Sequence, residues 1–367
     1  MENIERISVT ISDGTRPFAQ TAFNIPIFLG MTDNEEAVKD TLRVYSSDAL
    51  DAVAEDFPVT TSEYKMVAKA LSQDPHPKTF YIYSVTRSGT PVPSDLSTGL
   101  LAAKTAIEEG GYTSPYFVIP CEREQVEGDT EELMDTVSAN EWQMLTANQD
   151  GLTAAEIKAF CGELNSDRIV MGAHTDPDTE LLDAAIGGYW AGMPVGSLTL
   201  DTKPFNNVSA AEWSASDIAT MIAGAPGSPA PIPYINQAGV AVTVGSWNTA
   251  GSYADLRRCK DWLKARMAES LFGLKLANPK VPQTQHGHNM VQGAIEGVLN
   301  NARRSGIVQP RGGSGRWEID IPTLEWLALN DPQALAQRHL RTILVRVWPV
   351  GAWEAFTVLV YLNWSLS

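Results

Sequence analysis

Residues 44–83 have the sequence VYSSDALDAVAEDFPVTTSEYKMVAKALSQDPHPKTFYIY. Apolar residues three or four positions apart predict a helix that ends near Phe57. A second helix is predicted to begin near Ser62 and to end before Pro75, because proline cannot continue a helix. The run Thr79–Val85, rich in aromatic and β-branched residues, then predicts a strand. This stretch therefore predicts two helices followed by a strand.

The same alternation of strands and helices extends in both directions from this stretch. Strands are predicted at 25–30, 115–120, 168–173, 197–200, 239–245, 342–348 and 356–362, and helices at 100–109, 131–142, 154–164, 180–191, 255–276 and 290–304. Such alternation is typical of α/β proteins, so the sequence predicts an α/β fold with mixed α+β character. The Gly- and Pro-rich stretch Ala223–Pro233 (AGAPGSPAPIP) predicts a domain edge.

Composition excludes several classes of protein. The 367 residues are 44% hydrophobic and include ten Trp, ten Tyr and ten Phe, which excludes a disordered chain. No run of apolar residues is long enough to span a membrane, and the N-terminus lacks the order of a secretory signal. Cys121, Cys161 and Cys259 have no metal-binding spacing, which indicates reduced thiols in a protein that folds in a cytoplasm.

Charge is distributed unevenly along the chain, whose net charge is −17. Residues 1–250 carry 35 acidic and 13 basic side chains, a net −22, whereas residues 251–367 carry 9 acidic and 14 basic side chains, a net +5. A strongly acidic protein is a poor general binder of nucleic acid. We therefore expect the basic C-terminal third to face another protein.

Motifs for catalysis are absent from the sequence. It contains no phosphate-binding loop, no nucleophile elbow and no Ser–His–acid order typical of a hydrolase. His286 and His288 form an HxH pair that could bind a metal on a strand, but a polar loop between two helices explains the same residues. We expect no enzyme activity, no metal and no cofactor.

The two ends of the chain are predicted to be strands joined to the body by turns. The apolar residues that alternate along them are Ile7, Val9, Ile11, Phe356, Val358 and Val360. Terminal strands with free backbone edges are suited to adding a strand to a neighbour's sheet, although pairing within the same subunit is the commoner arrangement.

Several segments resemble the contractile phage tail sheath proteins. Residues 44–83 have the family's Tyr-Ser-Ser opening, its Ser-Glu-Tyr-Lys helix and its Ser-Gln-x-Pro break. Residues 254–308 resemble the C-terminal domain, with a long basic helix and a Lys-Val-Pro-x-Thr loop at 280–284. The tail is also similar, with Arg338 and Arg341 before a strand and a Gly-Ala turn at 351–352.

The resemblance implies an architecture with two arms and two domains. The expected divisions are an N-terminal arm at 1–22, an α/β outer body at 23–235, a tube-facing inner domain at 236–350 and a C-terminal arm at 351–367. The terminal strands listed above would complete the sheets of neighbouring subunits. The basic helix, through Arg257, Arg258, Lys260 and Lys264, would face an inner tube.

The resemblance also implies a function without catalysis. Subunits would polymerise as stacked hexameric rings around an inner tail tube, and the extended sheath would contract and drive the tube through a host cell envelope. Expected partners are other copies of the chain, the tube protein, and the baseplate and tail terminator proteins, with no nucleic acid and no membrane insertion. The particle would be a virion assembled in the bacterial cytoplasm. The alternatives are a tail-like bacteriocin or injection particle and, remotely, a metal-dependent hydrolase that uses His286 and His288.

Overall fold

The structure, a computed structural model, describes residues 5–7, 22–87, 94–122, 130–340 and 343–352. Its strands are β1 (Glu5–Ile7), β2 (Pro26–Thr32), β3 (Arg43–Ser46), β4 (Thr79–Thr86), β5 (Phe117–Pro120), β6 (Gln143–Ala147), β7 (Ile169–Ala173), β8 (Ile232–Gln237), β9 (Val240–Thr243), β10 (Pro310–Arg311), β11 (Ser314–Gly315), β12 (Trp317–Asp320) and β13 (Leu344–Val347). Its helices are α1 (Leu50–Asp56), α2 (Ser62–Leu71), α3 (Ser94–Glu109), α4 (Thr130–Ala139), α5 (Ala154–Leu164), α6 (Pro177–Glu180), α7 (Leu182–Gly192), α8 (Ala215–Ile222), α9 (Ala254–Ala277), α10 (Gln285–Arg304), α11 (Leu324–Asn330) and α12 (Pro332–Ala336).

Strands β2 to β9 form one eight-stranded sheet in the order β3-β4-β2-β5-β6-β7-β8-β9. The strands from β4 to β8 in this order run parallel, whereas the edge strands β3 and β9 are antiparallel to their neighbours. Every residue of β2, β5, β6 and β7 is buried. Complete burial is expected for parallel strands that helices cover on both faces. The predicted α/β class is therefore confirmed.

Two apolar cores lie on the two faces of this sheet. One core packs α3, α4, α5 and α8 against the sheet. The other packs α1, α2 and α7 against the opposite face and continues beyond the sheet into Leu263 of α9, Ile295 of α10 and Val345 of β13. The C-terminal helices therefore share one core with the α/β body.

Local sequence signals determine several helix ends. At the start of α5, Thr153 and Glu156 form a capping box, and Ser214 and Asp217 do the same at the start of α8. These side chains satisfy backbone N–H groups that have no partner inside the helix. Helices α2 and α7 meet at Gly188, where a Cβ atom would lie 2.3 Å from the carbonyl oxygen of Ala70. Only glycine allows the two backbones to approach so closely.

A second, smaller sheet joins the two ends of the described chain. Its order is β1-β13-β12, and both pairs are antiparallel. Helices α9 and α10 pack against each other, and β1 contacts α9. The small sheet thus consists of one strand from the N-terminal end, β1, and two strands from the C-terminal part of the chain, β12 and β13.

Some predicted elements differ from the observed ones for local reasons. Residues 197–200 form no strand, and the backbone N–H of Leu200 instead donates to the Ser246 hydroxyl. The Pro-rich stretch 223–233 runs into β8, and the expected division at 235/236 lies within the β8–β9 hairpin, so the domain boundary stays a prediction. Helix α10 begins at Gln285, five residues before the predicted Met290. None of the helices described is long and apolar enough to cross a membrane.

Candidate assembly surfaces

The three-stranded sheet has two edges at which backbone groups can meet another chain. Strand β13 is central, and β1 pairs with it from Glu5 opposite Val347 to Ile7 opposite Val345. Within the described ranges, no fourth strand pairs with β1 or β12. Free N–H and C=O groups along an edge strand can accept a strand from another molecule. This sheet is therefore a candidate surface for assembly.

The predicted arm residues fall mostly outside the described part of the chain. Ile7 ends β1, which pairs within its own subunit in this structure. The other five residues predicted for the arms, Val9, Ile11, Phe356, Val358 and Val360, lie outside the described residues. Their pairing with a neighbouring subunit stays a prediction.

One face of the small sheet packs against the body, and side chains on its other face pair across neighbouring strands. Val345 and Val347 of β13 are buried in the shared core. On the outer face, Arg346 lies opposite Glu318 in the register and forms an ion pair with it at 3.0 Å. Cross-strand pairs of this kind stabilise a sheet modestly. The small sheet is thus held in a fixed position relative to α9 and α10.

Arg258, one of the four basic residues predicted to face a tube, lies inside the subunit. Its side chain is 2% exposed, and its guanidinium donates to the carbonyl oxygens of Phe23, Trp190 and Met193 at 2.6–3.0 Å. The same group lies 5.1 Å from the ring centroid of Phe117, which is a cation–π distance. Burial lowers the pKa of Arg258 to about 10, so the group stays charged at neutral pH.

Arg257 also has partners inside the subunit. Its guanidinium donates to Asp261 at 2.9 Å and pairs with Asp167, which precedes β7. Asp261, 5% exposed, additionally accepts two hydrogen bonds from Arg168 at 3.1 and 3.2 Å. Tyr116 donates to the same carboxylate at 2.9 Å. These five residues form a network that joins α9 to the sheet and is buried at Tyr116, Arg168 and Asp261, and we name it the junction network.

Sequence reasoning missed the junction network, because most of its members come from distant parts of the chain. One local signal was present: Asp261 lies four residues after Arg257, the spacing at which two side chains meet on a helix. Nothing local marks Tyr116 or Arg168 as its further partners. Burial, followed by the charge of Asp261, raises the pKa of the Tyr116 hydroxyl well above its usual value.

The other two predicted cations of α9 lie nearer the surface. Lys264 forms an exposed ion pair with Glu141, and Lys260 is partly buried. The orientation of α9 towards a tube stays a prediction. Any contact of α9 with a partner would use these lysines rather than Arg258.

His286 and His288 lie in the first turn of α10, not on a strand. Residues two apart on a helix do not face each other, so the two rings cannot share one ligand as they would on a strand. His286 is exposed and His288 is buried. Among the described residues, no group of three or more His, Cys, Asp or Glu side chains could hold a metal ion.

A crevice of about 420 Å³ lies beyond the carboxyl ends of the parallel strands, where ligands of such sheets often bind. Glu122 follows β5 here and accepts a hydrogen bond from the Ser62 hydroxyl at 3.0 Å. It also pairs with Arg87, which follows β4, at 3.4 Å. Its carboxylate therefore lies at the start of α2, where an anionic ligand would otherwise be expected.

Comparison by sequence gives one family match. Residues 254–327 match the family described as "E217 tail sheath protein gp31-like, C-terminal domain". The matched segment contains α9 and α10 and ends within α11. No curated protein matches the chain in sequence.

Comparison of structures extends the similarity to almost the whole chain. A chain of the anti-feeding prophage baseplate matches with a TM-score of 0.64 and 14% identity, covering 98% of this chain and 99% of that one. The contracted helical sheath of the anti-feeding prophage gives 0.60 and 14%, covering 97% and 98%. The contracted sheath complex of PVC, an extracellular contractile injection system, gives 0.62 and 12%, covering 97% and 99%. The chain therefore shares the fold of these matched chains over nearly its whole length, and its residues 254–327 match the tail sheath C-terminal family.

Proposed function

We propose that the chain is the structural subunit of a contractile sheath. Copies polymerise as stacked hexameric rings around an inner tube, and contraction of the extended sheath drives the tube through a cell envelope. The observation that carries this proposal is the family match at residues 254–327, which falls on the same α9–α10 pair that carries the small sheet. The proposal assigns no catalytic group, metal or cofactor to the chain.

Strand exchange at the small sheet is the proposed linkage between subunits. Fourteen residues, 8–21, separate β1 from the body, and an extended segment of that length spans roughly 45–50 Å. That reach allows β1 to pair with β13 of a neighbour in the register it has with its own β13. Main-chain hydrogen bonds of this kind persist while rigid subunits rotate, because they do not depend on side-chain packing.

The partners and setting proposed for the sheath follow from the same resemblance. The inner tube would contact α9 through Lys260 and Lys264, because both lie nearer the surface than the buried Arg258. Baseplate and tail terminator proteins would bind the two ends of the polymer. We propose a phage virion assembled in the bacterial cytoplasm, and the same subunit would serve a tail-like bacteriocin or injection particle.

Negative-stain electron microscopy of the purified chain tests the proposal. Hollow, striated cylinders of one diameter are expected. A variant that lacks residues 1–20 should stay folded and soluble but form no cylinders, since it cannot donate β1. Uniform monomers of the unmodified chain at high concentration, even with the tube protein added, would contradict the sheath assignment. Long cylinders from the shortened variant would contradict strand exchange alone.

A further inference from the structure

Phe23, the first residue after the predicted N-terminal arm, is bonded to α9 through its backbone. Its carbonyl oxygen accepts a hydrogen bond from the guanidinium of Arg258 at 2.6 Å. Phe23 precedes β2, and the backbone N–H of the adjacent Ala22 donates to the carbonyl oxygen of Ser114 at 3.3 Å. We name Ala22 and Phe23 the arm root, because a pull on the arm reaches the body first at these residues.

The ring of Phe23 is held by a second arginine of the same helix. The guanidinium carbon of Arg266 lies 5.7 Å from the ring centroid, which is a cation–π distance. The ring also packs against Tyr116, with centroids 4.8 Å apart, and Phe23 is buried. Positions 258 and 266 are about two turns apart, or roughly 12 Å along α9. The backbone and the side chain of one residue are therefore fixed at two separate points of one helix.

The position of Arg258 is itself fixed by groups that do not belong to the arm. Its guanidinium also donates to the carbonyl oxygens of Trp190 and Met193, at and just after the C-terminal end of α7, at 2.9 and 3.0 Å. The last carbonyl groups of a helix carry partial negative charge and favour a nearby cation. Two of the three acceptors of Arg258 are thus independent of the arm, and the third is the arm root.

Helix α9 also contacts the sheet to which strand exchange is assigned. Strand β1 contacts α9 and pairs with β13. The arm root of a subunit and the small sheet that would receive a neighbour's β1 are therefore both in contact with α9. By contrast, β2, which follows the arm root, lies between β4 and β5 inside the large sheet. Without the contacts to α9, a pull on the arm would act on β2 and on the core around it.

We propose that Arg258 and Arg266 anchor the arm root on α9, so that tension between linked subunits passes along α9 and not through β2. The tension path rests on the proposed strand exchange, and both arginines act as positioning residues for the arm. An ionised donor suits this role, because its hydrogen bonds are about twice as strong as neutral ones. Arginine can also hold several carbonyl oxygens at once through its planar fork of donors, a geometry that lysine does not reproduce.

Hydrogen–deuterium exchange of the soluble full-length chain, followed by mass spectrometry, tests the anchor without any polymer. In Arg258→Met, peptides that cover residues 22–25 should exchange about tenfold faster or more, because the arm root opens more often and exposes the Ala22 amide. Arg258→Lys, which keeps the charge but not the fork, should give an intermediate rate. Arg266→Gln should raise exchange in the same peptides by a smaller factor, and its partly exposed position keeps the test valid if Arg258→Met does not fold.

Ile157→Ala is the matched control for a loss of global stability. Ile157 is fully buried in the core on the other face of the large sheet. The variant should therefore lower the thermal unfolding midpoint and leave exchange at residues 22–25 unchanged. Local opening does not require global unfolding, so a purely structural role of Arg258 would not accelerate exchange at the arm root alone. The anchor is overturned if exchange there is unchanged in both arginine variants or rises equally in Ile157→Ala.

Assembled cylinders test the tension path separately from the anchor. Cylinders of Arg258→Met should form, because β1 and β13 are unchanged, but should break into shorter pieces under shear than cylinders of Ile157→Ala. Cylinders of equal strength would overturn the tension path along α9 and leave the proposed sheath standing. If the unmodified chain forms no cylinders, the sheath and the tension path fail together, whereas exchange in the soluble chain still decides the anchor.

Discussion

The basic side chains near the two ends of α9 differ in whether they have partners inside the subunit. Near its start, the junction network and the acceptors around Arg258 satisfy arginines inside the subunit. Near its end, Lys280 and Arg338 line a groove of about 630 Å³, and their side chains form no ion pair or hydrogen bond with the described residues. Arg257 and Arg258 therefore bond inside the subunit, whereas Lys260 and Lys264 of the same sequence cluster lie nearer the surface. Counts of charge along the sequence do not distinguish these two roles.

The two ends of α9 also differ in how deeply they are buried. The first half of α9 is joined to the sheet by buried hydrogen bonds and shares its apolar core. At its C-terminal end, Phe272 and Leu276 are 43% and 78% exposed. In the proposed sheath, contacts between subunits would be made and broken during contraction, so we expect them at the exposed end of α9 and not at the junction network.

Removing the central acceptor of the junction network should have the largest effect. Asp261→Ala leaves the guanidinium of Arg168 buried without its carboxylate, and breaking a buried ion pair in this way costs about 3–5 kcal/mol. Urea unfolding of the purified variant measures the loss in the free energy of unfolding. Glu318→Ala is the matched control, because it breaks the exposed pair with Arg346 and should cost about 0–1 kcal/mol. Equal losses in the two variants would show that the junction network does not hold α9 to the sheet.

Much of the fold could be predicted from local patterns. The spacing of apolar residues predicted α5 with its observed bounds, and the capping box at Thr153 and Glu156 accounts for where it starts. Strand β6 was missed, because the helix predicted at 131–142 ended directly before it and Gln143 and Thr146 interrupt its apolar residues. Strand β8 was missed because the prolines before it suggested a linker, although they lead into a strand near the edge of the sheet.

The candidate surfaces were less predictable, because they depend on contacts between distant residues. Arg258 resembled the other cations of α9 in sequence, and its acceptors Phe23, Trp190 and Met193 are all far away in the chain. The HxH pair suggested a loop or a strand, since Gly287 lies between the histidines. That glycine instead allows the first turn of α10 to pack against the carbonyl oxygen of Pro282, where a Cβ atom would lie 1.8 Å away.

The buried hydroxyl of Tyr116 should make the junction network sensitive to alkaline pH. Its pKa is raised well above 10 in the folded chain, so the unfolded chain releases this proton first as the pH rises. Its stabilising contribution is therefore complete below pH 10 and is lost above it, by about 1.4 kcal/mol per pH unit.

The variant Tyr116→Phe isolates this effect from that of the other tyrosines. At pH 8 it should be about 1 kcal/mol less stable than the unmodified chain, because it lacks the hydrogen bond to Asp261. Above pH 10 the difference in unfolding midpoint should shrink and then reverse. A difference that stays constant from pH 8 to pH 11 would contradict burial of the hydroxyl next to a charged carboxylate.

The smallest expected effect comes from filling open space on the outer face of α10. The comparison is with a glycine between closely packed helices of the body. A Cβ atom at Gly293 would meet nothing within 4 Å, so Gly293→Ala should stabilise the chain by about 0.5–1 kcal/mol through lower entropy of the unfolded state. Gly188→Ala is the opposite case, since its Cβ would collide with the backbone of Ala70 and force α2 and α7 apart. Thermal unfolding measures both changes, and a loss of stability in Gly293→Ala would show that this face of α10 is not open. If the stabilised variant also formed no cylinders, the outer face of α10 would be a contact between subunits that the isolated chain leaves uncovered.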